Sequence, residues 1–302
     1  MNQPFHLSVI IVNWNTRGLL QGCLESLYNN LPDGELEIIV VDNASTDGSL
    51  EMLHKHFPQV KVIANSQNLG FARANNQAIQ ISRGDVILLL NSDTLILPGS
   101  LSNLFQCLEA YPDAGIFGGK LLNKDGSFQS SYNDFPNLIS ELLLMAGLAR
   151  RVYTNYYPSY PAERSLTTCY CDWVGGAFLL VRRAVCEQVG LLDENYFMYA
   201  EEVDWCYRAH QAGWRVVYCA DAPIIHFGGQ SASRSSYRQQ LLLYRSKARY
   251  FLIHHGRLCA QVFGFVVKVA ALLKAIYWAA TSLVWPERRE NAAVAWDLAR
   301  TF

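Results

Sequence analysis

Apolar and polar positions come in alternating blocks along the first third of the chain, and the blocks have two periods. An apolar run at 8–13 has the length and β-branched content of a buried strand, and it gives way at 16–30 to a stretch in which Leu19, Leu20, Cys23, Leu24 and Leu27 recur at helical spacing. A second strand is predicted at 37–41. It ends in Asp42-Asn43-Ala44-Ser45-Thr46-Asp47-Gly48, a cluster of turn and cap residues opening a helix that runs to about His56. A third short strand at 60–64 leads into Asn68-Leu69-Gly70-Phe71-Ala72-Arg73-Ala74-Asn75-Asn76 and another helix, and a strand at 85–90 delivers Asn91-Ser92-Asp93.

Strands alternating with helices predict an α/β fold in which parallel strands are joined by right-handed crossovers, so that their polar ends meet on one edge. Asp42, Asp47, Arg73 and Asp93 are then candidates for a shared chemistry, while Ser45, Thr46 and Asn76 need be no more than caps. A dinucleotide fold of the usual kind is excluded at the first turn, because Val12-Asn13-Trp14-Asn15-Thr16-Arg17-Gly18 holds no glycine fingerprint. A phosphorylated ligand here must be met by side chains and a cation.

The formal net charge of −1 gives no basic field for nucleic acid, so that partner is not expected. The eight cysteines lack paired CxxC spacing and are expected as reduced thiols, Cys169 and Cys171 sharing a strand face. The apolar run at 7–12 is too short for a signal peptide, which predicts a cytoplasmic protein. From 258 to 285 the chain is almost wholly apolar apart from Gln261, Lys268 and Lys274, with Tyr277, Trp278 and Trp285 near one end. As one helix it would reach about 42 Å, enough to cross a bilayer, but each lysine near the centre would cost about 3 kcal/mol. One or two helices lying in the membrane interface are therefore expected; a core helix or a homodimer contact is the alternative use of this segment. A second such candidate is 138–148, followed by Arg150, Arg151 and the tyrosine-rich 153–160.

Seven segments in order carry a resemblance: Val-Ile-Ile-Val-Asn-Trp-Asn near the start, Asp42-Asn43-Ala44-Ser45-Thr46-Asp47, Asn68-Leu69-Gly70-Phe71-Ala72, Asn91-Ser92-Asp93, Trp173-Val174-Gly175-Gly176-Ala177, Phe197-Met198-Tyr199-Ala200-Glu201-Glu202-Val203-Asp204, and His226. Over residues 7 to 255 the chain resembles the inverting glycosyltransferases of family 2, especially the rhamnosyltransferase-like enzymes of bacterial surface polysaccharides. The resemblance implies a GT-A fold, a mixed sheet flanked by helices. It also implies a glycosyltransferase domain at 1–255, with 256–302 as an apolar helical segment that associates with the membrane.

By the same resemblance the donor is a nucleotide-diphospho-sugar, with dTDP-rhamnose first among the choices, and the acceptor is a saccharide on a lipid. Asp42 maps onto the acid that meets the nucleotide base; Asn13, Asn68, Gly70, Arg73, Asn91, Ser92 and Asp93 line the donor pocket. The triplet at 91–93 looks like the family's Asp-x-Asp metal motif with Asn at its first position. Asp93 is then its one carboxylate, and His226 shares the Mg²⁺ or Mn²⁺. Glu202 falls at the position of the catalytic base, with Glu201 beside it, and Asp204 is a candidate contact to the donor or acceptor sugar; all three would otherwise serve the positive end of a helix. Gly175 and Gly176 allow close approach of donor or acceptor sugar, or else a bulge, and Trp173 is a sugar platform or a core residue. The incomplete triplet leaves a second reading, a noncatalytic sugar-nucleotide or glycan-binding protein. The expected location is cytoplasmic, on the inner face of the plasma membrane.

Overall fold

The computed structural model describes residues 6–31, 35–145, 165–228, 237–282, 285 and 288–302. Arg150, Arg151 and the tyrosines of 153–160 lie outside the described residues, as does 146–148. Two compact units divide the chain. The first takes 1–135, 158–197 and 201–231, the second 136–157, 198–200 and 232–302.

The first unit is built on the βαβ blocks. Strands β1 (Leu7–Asn13), β2 (Leu36–Asp42), β3 (Lys61–Ala64) and β4 (Val86–Asn91) are separated by helices α1 (Arg17–Tyr28), α2 (Ser49–His56) and α3 (Phe71–Ile81). They pair in parallel in the order β3-β2-β1-β4. Both faces of β1 and β4 are covered, which is why their sequences read as unbroken Val, Ile and Leu. Helix α1 buries Leu20, Cys23, Leu24 and Leu27 against this sheet; Leu19 of the predicted face is only half-buried.

Beyond β4 the sheet becomes mixed. After β5 (Thr94–Ile96), α4 (Ser100–Ala110), β6 (Ala114–Leu122), β7 (Phe128–Gln129) and β8 (Tyr132–Asn133) come β9 (Cys169–Cys171), β10 (Trp173–Val174) and β11 (Phe178–Arg182). Helices α6 (Arg183–Val189) and α7 (Glu201–Gln211) and strand β12 (Arg215–His226) finish the unit. Strand β11 lies antiparallel between β4 and β6, and β12 runs parallel to β6. Two antiparallel steps restore the original direction, so β12 points the same way as β1, β2 and β4. His226, its last residue, pairs with Thr94.

One expectation is corrected in this unit: Cys107 of α4 and Cys219 of β12 are joined as a disulfide, with Cα atoms 6.4 Å apart, rather than being two free thiols. Their 112-residue separation leaves no local spacing signal, and the long β12 brings them together.

The second unit is helical: α5 (Leu138–Met145), α8 (Tyr237–Thr281) and α9 (Arg289–Thr301). The apolar stretch expected from 258 is thus the later part of an element that starts at Tyr237, broken at Gly256, which sits at φ 84° and ψ 171°. Past that break Phe263, Val267, Ala271 and Ala275 form a buried stripe, while Leu258, Phe265, Leu273 and Ile276 are exposed. Helix α5 is held to α8 by an ion pair in which Lys247 Nζ donates to both Glu141 oxygens, at 2.7 and 2.8 Å, the glutamate being fully buried. Lys247→Ala removes the charge paired with that buried carboxylate, so a loss of about 3 kcal/mol is expected in urea unfolding, concentrated in this unit.

Candidate active site

Parallel pairing places the strand ends side by side. Asn13 is opposite Asp42, and Val12 is opposite Asn91. Asn13 Nδ2 donates to Asp42 Oδ2 at 2.9 Å and to Ser45 Oγ at 3.0 Å, while Asp42 Oδ1 accepts the Ser45 amide at 2.8 Å. Thr16 Oγ1 donates to Asn13 Oδ1 at 2.7 Å and lies 2.9 Å from Ser92 Oγ. Asn13, Asp42 and Ser92 are therefore one buried network beneath the edge. Asp47 belongs elsewhere: its Oδ2 accepts the first amide of α1, from Arg17, at 2.8 Å, which makes it a cap from 30 residues away.

The triplet at 91–93 meets His226 because β12 has a register shift between Cys219 and Pro223 that bends its last turn toward β5. His226 Nε2 lies 3.2 Å from Asp93 Oδ1 and 3.3 Å from Asn91 Nδ2. On the ring's other side, Nδ1 is 2.5 Å from Gln129 Oε1. The Gln129 amide is oriented by its own donors, since Nε2 reaches Asn123 Oδ1 at 3.0 Å and the His226 carbonyl at 3.2 Å. Its oxygen then faces Nδ1, and Nε2 is turned toward the Asp93 carboxylate and Asn91 Nδ2. Nε2 and the carboxylate are drawn together by a shared proton or by a bound cation. One carboxylate oxygen and one imidazole nitrogen suit Mg²⁺ or, better, Mn²⁺. No cluster of three or more His, Cys, Asp or Glu ligands exists among the described residues, so a cation held by Asp93 and His226 would draw its other ligands from a bound phosphate or water. Gln129 carries no sequence signal, being in a two-residue strand.

Across the same edge stand the glutamates. Asn91 N–H donates to Ala177 O at 3.0 Å, and the β4–β11 register continues from Phe178 opposite Leu90 toward Gly176. A Cβ on Gly176 would lie 3.8 Å from Glu202 Cβ and 3.5 Å from Phe71. Bare backbone at Gly176, one residue before the Ala177 that pairs with Asn91, thus lets Glu202 pack beside the strand end that carries the triplet. The chain enters α7 through two successive left-handed residues, Tyr199 at φ 72° and Ala200 at φ 65°, a conformation unfavourable for both.

Oε2 of Glu201 and of Glu202 is shielded from solvent and has no hydrogen-bond partner. Burial raises both carboxyls, Glu202 to about 7; for Glu201 the neighbouring Glu202 charge adds to burial and the rise is larger. If Glu202 takes the proton, kcat/KM should climb as pH rises through about 7, and a pH–rate profile checks this. Stability moves oppositely. The native state holds protons the unfolded chain has released, so the pair's contribution is complete below the ordinary carboxyl value of 4.5 and is lost as pH rises through about 7.

Asn68 Oδ1 accepts the Gly70 amide at 2.9 Å and shapes the turn into α3. Gly70 sits at φ 85° and ψ 176°, and a Cβ there would lie 2.5 Å from Phe197 O and 2.8 Å from Phe197 Cδ2. Gly70→Ala should therefore cost about 3 kcal/mol in chemical denaturation. Arg73 is exposed and lies 3.6 Å from Glu194. Trp173 Nε1 donates to Asp134 O at 2.8 Å, with the ring partly exposed, and Gly175 N–H donates to Ser131 O at 2.7 Å. Asp204 is taken up by Arg208 at 2.8 Å, and Arg208 also donates to Val189 O and Leu191 O, so this carboxylate anchors α7.

A mixed sheet in the order β3-β2-β1-β4-β11-β6-β12-β5, flanked by helices, is the architecture of the GT-A glycosyltransferases. Two solved structures share it: mannosyltransferase PcManGT from Pyrobaculum calidifontis in complex with GDP-Man and Mn²⁺ (TM-score 0.58, 17% identity, 98% of this chain and 87% of that one) and GalNAc-T7 with UDP, GalNAc and Mn²⁺ (TM-score 0.59, 16% identity, 82% and 47%). The family model for glycosyl transferase family 2 matches residues 8–190, and the chain belongs to that family and is a glycosyltransferase. Its relatives include the N-acetylglucosaminyl-diphospho-decaprenol L-rhamnosyltransferase of Mycobacterium tuberculosis H37Rv, 31% identical over 245 residues that cover 76% of this chain and 78% of the relative. Another is the rhamnosyltransferase WbbL of Escherichia coli K12, 28% identical over 231 residues, covering 72% and 82%.

Proposed function

We propose that the protein transfers one sugar, with inversion, from a nucleotide-diphospho-sugar to a lipid-linked saccharide during surface polysaccharide synthesis, with dTDP-rhamnose as the first donor to test. The observation that carries this reading is the meeting of Asp93 and His226 with Glu202 at one sheet edge. The two relatives named as rhamnosyltransferases support the donor, and the relative named for a diphospho-decaprenol substrate supports the acceptor.

A divalent cation bound there would supply Lewis-acid neutralisation of the leaving diphosphate. Asp93 and His226 hold that position, and Gln129 fixes the imidazole so that Nε2 faces inward. Glu202 receives the proton of the acceptor hydroxyl as the oxygen attacks the anomeric carbon from the side opposite the departing diphosphate, which inverts that centre. Burial keeps its carboxyl near neutrality, where it exchanges protons readily. Glu201 is buried, which together with the neighbouring Glu202 charge favours its neutral form. Asn13, Asp42 and Ser92 hold the strand ends in place, Gly70 admits the close approach of Phe197, and Gly176 lets Phe71 and Glu202 pack against bare backbone.

Residues 256–302 serve as the membrane-associating part, with the protein on the cytoplasmic face. Support comes from α8, long and apolar enough to cross a bilayer yet only 22% buried over its most apolar window. Lysines at 268 and 274 favour lying along the interface. Thermal-shift screening of nucleotide sugars with and without Mn²⁺ tests the reading: dTDP-rhamnose should raise Tm most, and only fully with the cation. A panel with no Mn²⁺-dependent response would overturn it.

A further inference from the structure

The second unit contains an open groove of about 680 Å³, the size of a small-molecule site, between α5 and the part of α8 beyond the Gly256 break. Leu142 and Met145 line it from α5, and Phe265, Val269 and Trp278 from α8; Lys274 is the charged residue of the lining. Its wall is fixed in advance, because the Lys247–Glu141 ion pair ties α5 to α8. Phe265 and Leu273, both in the lining, are 66% and 63% exposed, so the groove presents a contiguous apolar surface.

Charge selects among apolar occupants. Along the groove, α8 carries two basic residues, Lys268 and Lys274, and no acidic one, and Lys274 is in the lining. An uncharged hydrocarbon leaves Lys274 without use, and an acidic peptide leaves the apolar floor without use. A chain that ends in phosphate satisfies both.

We infer that this groove binds the hydrocarbon tail of the acceptor, a polyisoprenoid whose phosphate meets Lys274. The inference rests on the lipid-linked acceptor reading and adds where the tail is held. The tail is gripped by protein rather than left in the bilayer, so the site discriminates chain identity as well as head group.

The test is equilibrium binding of radiolabelled farnesyl phosphate, below its micelle concentration, to the full chain. Saturable one-to-one binding is expected. Ala270→Trp, which fills the groove, should weaken it at least tenfold while leaving co-sedimentation with anionic vesicles unchanged. Lys274→Glu should weaken farnesyl phosphate at least tenfold but not farnesol, which keeps the inference testable if the tryptophan variant fails to fold. Both variants should retain the Mn²⁺-dependent thermal shift with nucleotide sugar. Wild-type protein that shows no saturable binding, or an Ala270→Trp variant that binds like wild type, overturns the inference. So does an equal loss of vesicle and probe binding, which makes the groove a general membrane contact. Because binding is read without turnover, a protein that binds the probe but transfers no sugar would sink the catalytic reading while upholding the groove.

Discussion

Glu202→Gln should lower turnover by roughly 100-fold or more while nucleotide sugar continues to raise Tm in the presence of Mn²⁺. The amide matches the carboxyl in shape but takes no proton. Its fold should survive, since the raised position of Glu202 means that burial disfavours the charged form, and glutamine is neutral at every pH. The pH dependence near 7 should vanish with the side chain. Glu201→Gln serves as the comparison: burial and the adjacent Glu202 push the Glu201 carboxyl well above its ordinary value, so a neutral amide there should cost far less. Steady-state kinetics of both variants decide the assignment. A Glu202→Gln enzyme that turns over normally would move the base elsewhere, and if Glu201→Gln carried the large loss the two roles would be exchanged.

Asp93→Asn should be nearly as costly, on the order of 10³-fold in kcat/KM, the scale of several kcal/mol of lost stabilisation of the leaving diphosphate. The substitution preserves the backbone bond in which Phe227 N–H donates to Asp93 O at 2.9 Å, so local structure should hold. What changes is charge: His226 Nε2 would face an amide, and no carboxylate would remain in the 91–93 triplet. Thermal shift with nucleotide sugar should then be the same with or without Mn²⁺. Gln129→Ala leaves both ligands but frees the ring, and a loss of about 10- to 100-fold in Mn²⁺ affinity is expected. If Asp93→Asn kept its full Mn²⁺ response, the cation would have to be held by other groups.

Much of this geometry is legible in the amino-acid sequence. β1, β2 and β4 fall within about a residue of the apolar runs at 8–13, 37–41 and 85–90, because strands buried on both faces have strong, continuous patterns. α7 begins at Glu201, where the pair of acids marks the positive end of a helix. The parallel arrangement follows from the alternation of periods, and with it the convergence of strand ends. Long-range partners are less legible. Asp47 caps its own helix as local spacing predicts, Oδ1 accepting the Ser49 amide at 3.1 Å, but its second bond, from Oδ2 to α1, depends on the packing of two loops. Asp204 is as good a site candidate as its neighbours until Arg208, one turn later, takes it up. Gln129 lies in a two-residue strand whose position depends on β6, so nothing local marks it. The start of α8 is hidden for another reason: residues 237–257 mix arginine, histidine and apolar positions, and the apolar stretch becomes continuous only beyond the Gly256 break.

Anomalous diffraction at the manganese edge, from crystals grown with Mn²⁺ and a nucleoside diphosphate, tests the central arrangement most directly. The expected map has one manganese peak bound by Asp93 Oδ1, His226 Nε2 and diphosphate oxygens, with the Glu202 carboxyl lining the same cleft on the acceptor side. A peak held by other residues, or a Glu202 side chain opening into a cavity separate from the diphosphate, would contradict the account.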